Sequence, residues 1–106
     1  MREPTFLVLT ALAAEPQHGY AVMEDIAQIT DGRVRMRAGT LYTALDRLRA
    51  EGLIEVDREE IVQSRMRRYY RLTGVGRKRL AEETARLRAQ TTVAEARLRR
   101  LGGATA

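Results

Sequence analysis

A mainly α chain of α+β type, a winged helix-turn-helix with a long C-terminal dimerisation helix, is what the sequence predicts, on three observations. The first is an amphipathic helix introduced by Gly39, with Leu41, Ala44, Leu45 and Leu48 at three- and four-residue steps on one face. The second is a basic β-hairpin after Gly52, with Leu53-Ile54-Glu55-Val56 as one strand and Arg65 to Leu72 as the other. The third is a closing helix in which Leu80, Thr84, Leu87, Thr91, Ala94, Leu98 and Leu101 alternate steps of four and three, a heptad seam.

In chain order, Pro4 suits the first turn of a helix, where its missing N–H leaves nothing unpaired. Phe6, Leu7, Val8, Leu9 and Leu12 make this helix apolar nearly all round, as expected of one sandwiched between its own domain and a second subunit. Glu15-Pro16-Gln17 breaks it. His18-Gly19 opens a second helix with Tyr20, Met23, Ile26, Ala27 and Ile29 expected inward, stopped by Asp31-Gly32. Arg33 to Arg37 alternates charged and apolar residues and reads as an extended connector. The third helix then runs from about Ala38 to Glu51. In the return strand Arg67, Tyr69 and Arg71 point one way, and Met66, Arg68, Tyr70 and Leu72 the other. Thr73 is the expected N-cap of the last helix, although Gly76 stands where a capping box would place Glu. The seam of that helix has a second copy, or the chain's own first helix, as its natural partner; the alternative is that it covers its own core. Residues 1–73 form the winged domain, 74–101 the dimerisation helix and 102–106 a frayed tail.

With 106 residues the chain is sized for one domain that buries about two-thirds of its unfolded surface. It has no cysteine, hence no disulfide framework and no thiolate metal site. Met1-Arg2-Glu3-Pro4 does not resemble a signal peptide and the apolar run Phe6 to Ala14 is too short for a bilayer, so the expected location is the cytoplasm. Net charge is +5, distributed unevenly: residues 1–32 balance at −4, residues 33–71 at +4 and residues 72–106 at +5. The positive excess begins where the third helix and hairpin begin, which favours a polyanion as partner over a merely solvated basic surface.

The stretches Leu12…His18-Gly19-Tyr20, Gly39-Thr40-Leu41-Tyr42, Leu45-Asp46-Arg47-Leu48, Glu51-Gly52-Leu53-Ile54 and Arg68-Tyr69-Tyr70-Arg71-Leu72-Thr73…Gly76 resemble, in order and spacing over about residues 5 to 80, the PadR family of bacterial transcriptional regulators. The length and the single long C-terminal helix resemble its short-chain branch. The resemblance implies a homodimeric winged helix-turn-helix protein that binds double-stranded DNA at a palindromic operator. It further implies a repressor released by a small hydrophobic or aromatic effector, bound near the dimer interface between the first and last helices. Two departures stand out. Arg37-Ala38 precedes Gly39 where Ser-Pro is common, which removes a usual cap. The wing tip, Arg58 to Ser64, holds two acids and two aliphatics where Gly, Ser and basic residues are common, which leaves open whether it inserts deeply into a minor groove or sits slightly off the DNA.

The DNA-binding candidates on the third helix are Gly39, Thr40, Tyr42, Thr43, Asp46 and Arg47. Arg47 is assigned to guanine or phosphate, with an intrahelical salt bridge to Glu51 as the alternative. Tyr42 either reaches phosphate or a thymine methyl or packs beside the wing, and Thr40 either bonds phosphate or caps the helix. Asp46 is compatible with DNA only by accepting from a cytosine amino group or by pairing with an arginine. On the wing the candidates are Arg65, Arg67 and Arg68, one of which is expected merely to flank the sheet. His18 is placed as a helix cap, and Tyr20, Tyr69 and Tyr70 as packing residues. The dimer-interface candidates are Phe6, Leu9, Leu80, Thr84, Leu87, Thr91, Ala94, Leu98 and Leu101.

One histidine in a turn, no cysteine and no glycine-rich phosphate loop leave none of the usual nucleophile, general-base or metal constellations. Glu59-Glu60 and Glu82-Glu83 are adjacent, not opposed, carboxylates. The chain is therefore read as no enzyme, with no cofactor, no metal and no membrane partner. The competing reading is a dimeric winged-helix protein-interaction module without DNA binding, supported by the acidic wing tip.

Overall fold

A computed structural model of the protein describes residues 1–102. It contains α1 (Glu3–Ala14), β1 (Gln17–His18), α2 (Gly19–Ile29), α3 (Ala38–Ala50), β2 (Ile54–Val62), β3 (Arg65–Leu72) and α4 (Gly74–Gly102). The three strands form one antiparallel sheet in the order β1-β3-β2. The expected tail at 102–106 lies outside the described residues except for Gly102, which closes α4.

Pro4 sits in the first turn of α1, and Glu3 places a negative charge at the positive end of the helix. Leu7, Val8, Leu9, Ala11 and Leu12 are all buried within the protomer. They meet Val22 and Ile26 of α2, Leu41, Leu45 and Leu48 of α3, and Leu53, Ile54 and Tyr70 of the sheet in one core. Removing one of these leucines would cost roughly 2–5 kcal/mol. The apolar coat of α1 thus serves its own domain: Leu9, expected at the dimer interface, exposes no surface, and only Phe6 stays half-buried.

Three local expectations are corrected. A two-residue strand, β1, precedes α2 and pairs Gln17 with Tyr70 and His18 with Tyr69. Pairing with a distant strand leaves no local periodicity, so nothing in the sequence marks it. Along α2, Val22 and Ile26 enter the core, whereas Tyr20 and Ile29 are 63% and 45% exposed. The buried stripe is narrower than the run of apolar residues, because α2 rests on the core with a single ridge. Finally, β2 extends to Val62, so the residues expected at the wing tip are mostly strand and the turn is Gln63-Ser64 alone. Both turn residues have positive φ, 51° and 64°, the two-residue geometry that matches the twist of a hairpin.

The start of α4 is tied to the end of α3. The Gly76 N–H donates to Thr73 Oγ1 at 3.0 Å, the N-cap contact expected, and the Thr73 hydroxyl donates to the Gly52 carbonyl at 2.6 Å. Gly76 is required by this crossing: a Cβ there would overlap the backbone carbonyl of Leu53. The absence of a capping-box Glu follows, since the helix meets another backbone at that point.

Candidate nucleic-acid interface

The outer face of α3 is built by its amphipathic period. With Leu41, Ala44, Leu45 and Leu48 buried, Gly39, Thr40, Thr43 and Asp46 are exposed. Arg37 occupies the N-cap position but makes no side-chain cap bond, so no side chain of the cap residue takes up the first amides of α3. Arg37, Gly39, Thr40 and Thr43 line one shallow depression. Free helix N-terminal amides, two hydroxyls and a cation suit a phosphate oxygen. Arg37 was not among the sequence candidates; its signal is that it ends an alternating run in which Val34 and Met36 turn inward. Thr40 lies inside the helix and does not cap it.

Tyr42 sits on the flank of α3 that faces the wing. It lines a cleft with Asp46, Met66, Arg68, Tyr20 and Tyr70. Partial burial, with Tyr70 and Tyr20 beside it, raises the Tyr42 phenol above its ordinary pKa of 10.0, so it is a neutral hydroxyl at physiological pH. Asp46 is exposed and has no ion-pair partner among the described residues.

Arg47, placed by the sequence at guanine or phosphate with a salt bridge to Glu51 as the alternative, makes that salt bridge in the protomer. The pair is 3.2 Å apart, and Arg47 also donates to Thr5 Oγ1 of α1 at 2.9 Å. Its position on the helix wheel, rotated from Asp46 toward the buried stripe, brings the guanidinium to α1 instead of the open face.

The wing carries its own charge balance. Arg68 pairs with Glu59, Arg71 with Glu55 and Asp57, and Arg58 with Asp57 and Glu60, at distances from 2.9 to 3.3 Å. Every carboxylate of the hairpin is thereby held by an arginine of the hairpin. Arg58 also lies over the Tyr69 ring at 3.8 Å. A bulge between Val56 and Arg58 lets Asp57 reach two arginines. Exposed pairs of this kind stabilise a fold by only about 0.2–1 kcal/mol each. Their larger consequence is electrostatic: Arg65 and Arg67 have no ion pair among the described residues. Arg67 stands opposite Glu60, but that carboxylate is taken by Arg58. Of the three wing candidates, Arg65 and Arg67 therefore stand free beside the tip, and Arg68 is the one that flanks the sheet.

His18 caps α2, with its Nδ1 accepting from the Ala21 N–H at 3.3 Å. Its ring stands edge-on to Tyr69 with centroids 5.3 Å apart. Burial, then the nearby charge of Arg67, holds the imidazole below its ordinary pKa of 6.5.

On α4, Leu80 and Leu87 are half-buried, while Thr84, Thr91, Ala94, Leu98 and Leu101 are exposed. Leu98 and Leu101 expose 64% and 84% of their surface, a large apolar area for one helix end. The Thr84 hydroxyl donates to the Leu80 carbonyl at 2.9 Å, which satisfies it within the helix. No helix among the described residues is long and apolar enough to cross a membrane.

The sequence model of the transcriptional regulator PadR-like family matches residues 8–82. A transcriptional regulator of Mycobacterium tuberculosis is 47% identical over 49 residues, 46% of this chain and 45% of that protein. The X-ray structure of a PadR-like transcription factor from Bacteroides fragilis superposes with a TM-score of 0.74 at 26% identity, covering 88% of this chain and 87% of that one. Bacillus subtilis PadR, solved in complex with operator DNA, shares the fold with a TM-score of 0.70 at 21% identity over 78% of this chain and 47% of its own.

Proposed function

The chain belongs to the PadR-like family of transcriptional regulators, which are not enzymes, and on that premise we propose that it is a homodimeric repressor binding a palindromic DNA operator. The observation that carries the reading is the charge balance of the wing: its acids are neutralised internally, and the surplus of Arg65 and Arg67 stands beside the tip. The acidic tip that favoured a protein-interaction module loses its force, because Glu59 and Glu60 are spoken for by Arg68 and Arg58. The operator complex of the Bacillus subtilis relative supports the same reading.

In this reading α3 enters the major groove with Thr40 and Thr43 near the backbone and Asp46 accepting from a cytosine amino group. Arg37, Arg65 and Arg67 hold phosphates. Two copies join through the exposed seam of α4, and the apolar surface between α1 and α4 offers a small hydrophobic effector its site. Nucleic-acid binding and a cytoplasmic location go together.

The test is a titration of operator-sized DNA, selected from a random pool by the purified protein, at rising salt. With about six to ten phosphates neutralised per dimer, affinity falls on the order of a thousandfold or more between about 50 and 200 mM salt. Arg65→Ala and Arg67→Ala each weaken binding to all sequences alike and reduce the salt slope by about one per site. Arg68→Ala changes it less. A flat salt response would return the protein-interaction reading.

A further inference from the structure

We infer that the wing tip is an apolar wedge for the minor groove of duplex DNA, inserted through Ile61 and Met66. The inference rests on the DNA-binding reading above and adds a deformation of the duplex to it. Ile61 and Met66 are direct cross-strand partners on one face of the hairpin, one rung inside the Val62–Arg65 pair that closes the turn. They are 80% and 65% exposed and belong to no part of the core. An exposed apolar pair at the open end of a hairpin is a liability that a protein sheds unless it is used.

Charge decides what uses it. On the neighbouring rungs Arg65 and Arg67 are the cations without ion pairs among the described residues, while the acids of the hairpin are all bound to Arg58, Arg68 and Arg71. An apolar tip surrounded by surplus positive charge fits a polyanion with an apolar interior, which is the nature of a base stack. The turn is closed by Gln63 and Ser64 alone, so the apolar pair lies one rung from the end of the hairpin and its side chains lead the approach. Isoleucine and methionine are among the side chains that part base steps in minor-groove complexes.

The side of the hairpin agrees as well. Met66 shares a face with Arg68 and Tyr70, and Tyr70 on that face is buried in the core. The pair therefore projects on the side of the sheet that looks toward the recognition helix, not away from it. Arg65 and Arg67 alternate to the other face of the strand and also border the cleft beside Tyr42 and Asp46, where their charge stands next to the apolar pair. Flexible pyrimidine–purine steps yield most readily to such a wedge, so the operator carries one at each wing position.

The experiment places 2-aminopurine at each position flanking the helix contacts in the DNA selected from the pool. The double variant Ile61→Ser/Met66→Ser is compared with the natural protein and with Ile61→Leu/Met66→Leu. The natural protein raises the fluorescence at one symmetric step per half-site. The serine variant loses that signal and about tenfold in affinity, with an unchanged salt slope because no phosphate contact is removed; the leucine variant keeps both. Equal melting temperatures confirm that the exposed substitutions leave the fold intact. If the natural protein binds but the serine variant unstacks and binds as well, the wedge is overturned and the DNA reading stands. If the serine variant instead changes the stoichiometry on DNA or the mass in solution, the pair joins copies of the chain and the wedge is equally overturned. If the natural protein binds no duplex, both fall together.

Discussion

Gly19 and Tyr42 are locked against each other: a Cβ on Gly19 would overlap the hydroxyl and ring of Tyr42. Two short motifs far apart in sequence, His18-Gly19-Tyr20 and Gly39-Thr40-Leu41-Tyr42, are thus two halves of one contact.

Gly19→Ala turns the partly exposed end of Tyr42 aside and destabilises the fold by about 1 kcal/mol or less, read as a slightly lowered melting temperature. Tyr42→Leu in the same chain recovers most of the loss. Independent, additive effects of the two substitutions would show that the contact carries no energy.

Arg47 and Asp46 should part company in a binding-site selection. Arg47→Ala removes an exposed pair with Glu51 and the bond to the buried Thr5 hydroxyl and costs roughly 1–2 kcal/mol of stability, leaving the selected motif unchanged. Asp46→Ala relaxes preference at one symmetric cytosine and costs about 1–3 kcal/mol there. The opposite pattern would return Arg47 to the groove.

The α4 seam is tested where it is most exposed. Leu98→Asp and Leu101→Asp leave the protomer core untouched, since both side chains lie outside it. Light scattering should find a monomer at concentrations where the natural chain is a dimer. An unchanged mass would move the dimer contact elsewhere.

Acid should loosen α2 through His18. Its Nδ1 accepts the Ala21 N–H only when unprotonated, and its pKa in the fold lies below 6.5. Below that pH the unfolded chain binds the proton before the folded one, so stability is full above about pH 6.5 and falls as pH drops toward the folded value. His18→Asn keeps a capping acceptor that does not titrate. Melting temperatures between about pH 5 and 7.5 should show a shallower slope for this variant; identical slopes would assign the acid sensitivity to other groups.

What the sequence by itself determined is whatever repeats at short range. The three- and four-residue steps of Leu41, Ala44, Leu45 and Leu48 specify both the helix and its open face. Gly52 ends α3 with a φ of 77°, and Thr73 begins α4. Contacts between residues distant in the chain were decided only by the tertiary structure. β1 exists because Tyr69 and Tyr70 pass beside Gln17 and His18, and Gly76 is glycine because α4 crosses the Leu53 carbonyl. Charge followed the same division. Composition could count the acids and arginines of the wing, but strand register decides which of them meet. A bulge at Asp57 and a turn confined to Gln63-Ser64 place each carboxylate within reach of an arginine, and so leave Arg65 and Arg67 without an ion pair among the described residues. Ion pairing is a matter of a few ångströms between side chains, and only folding sets distances of that order.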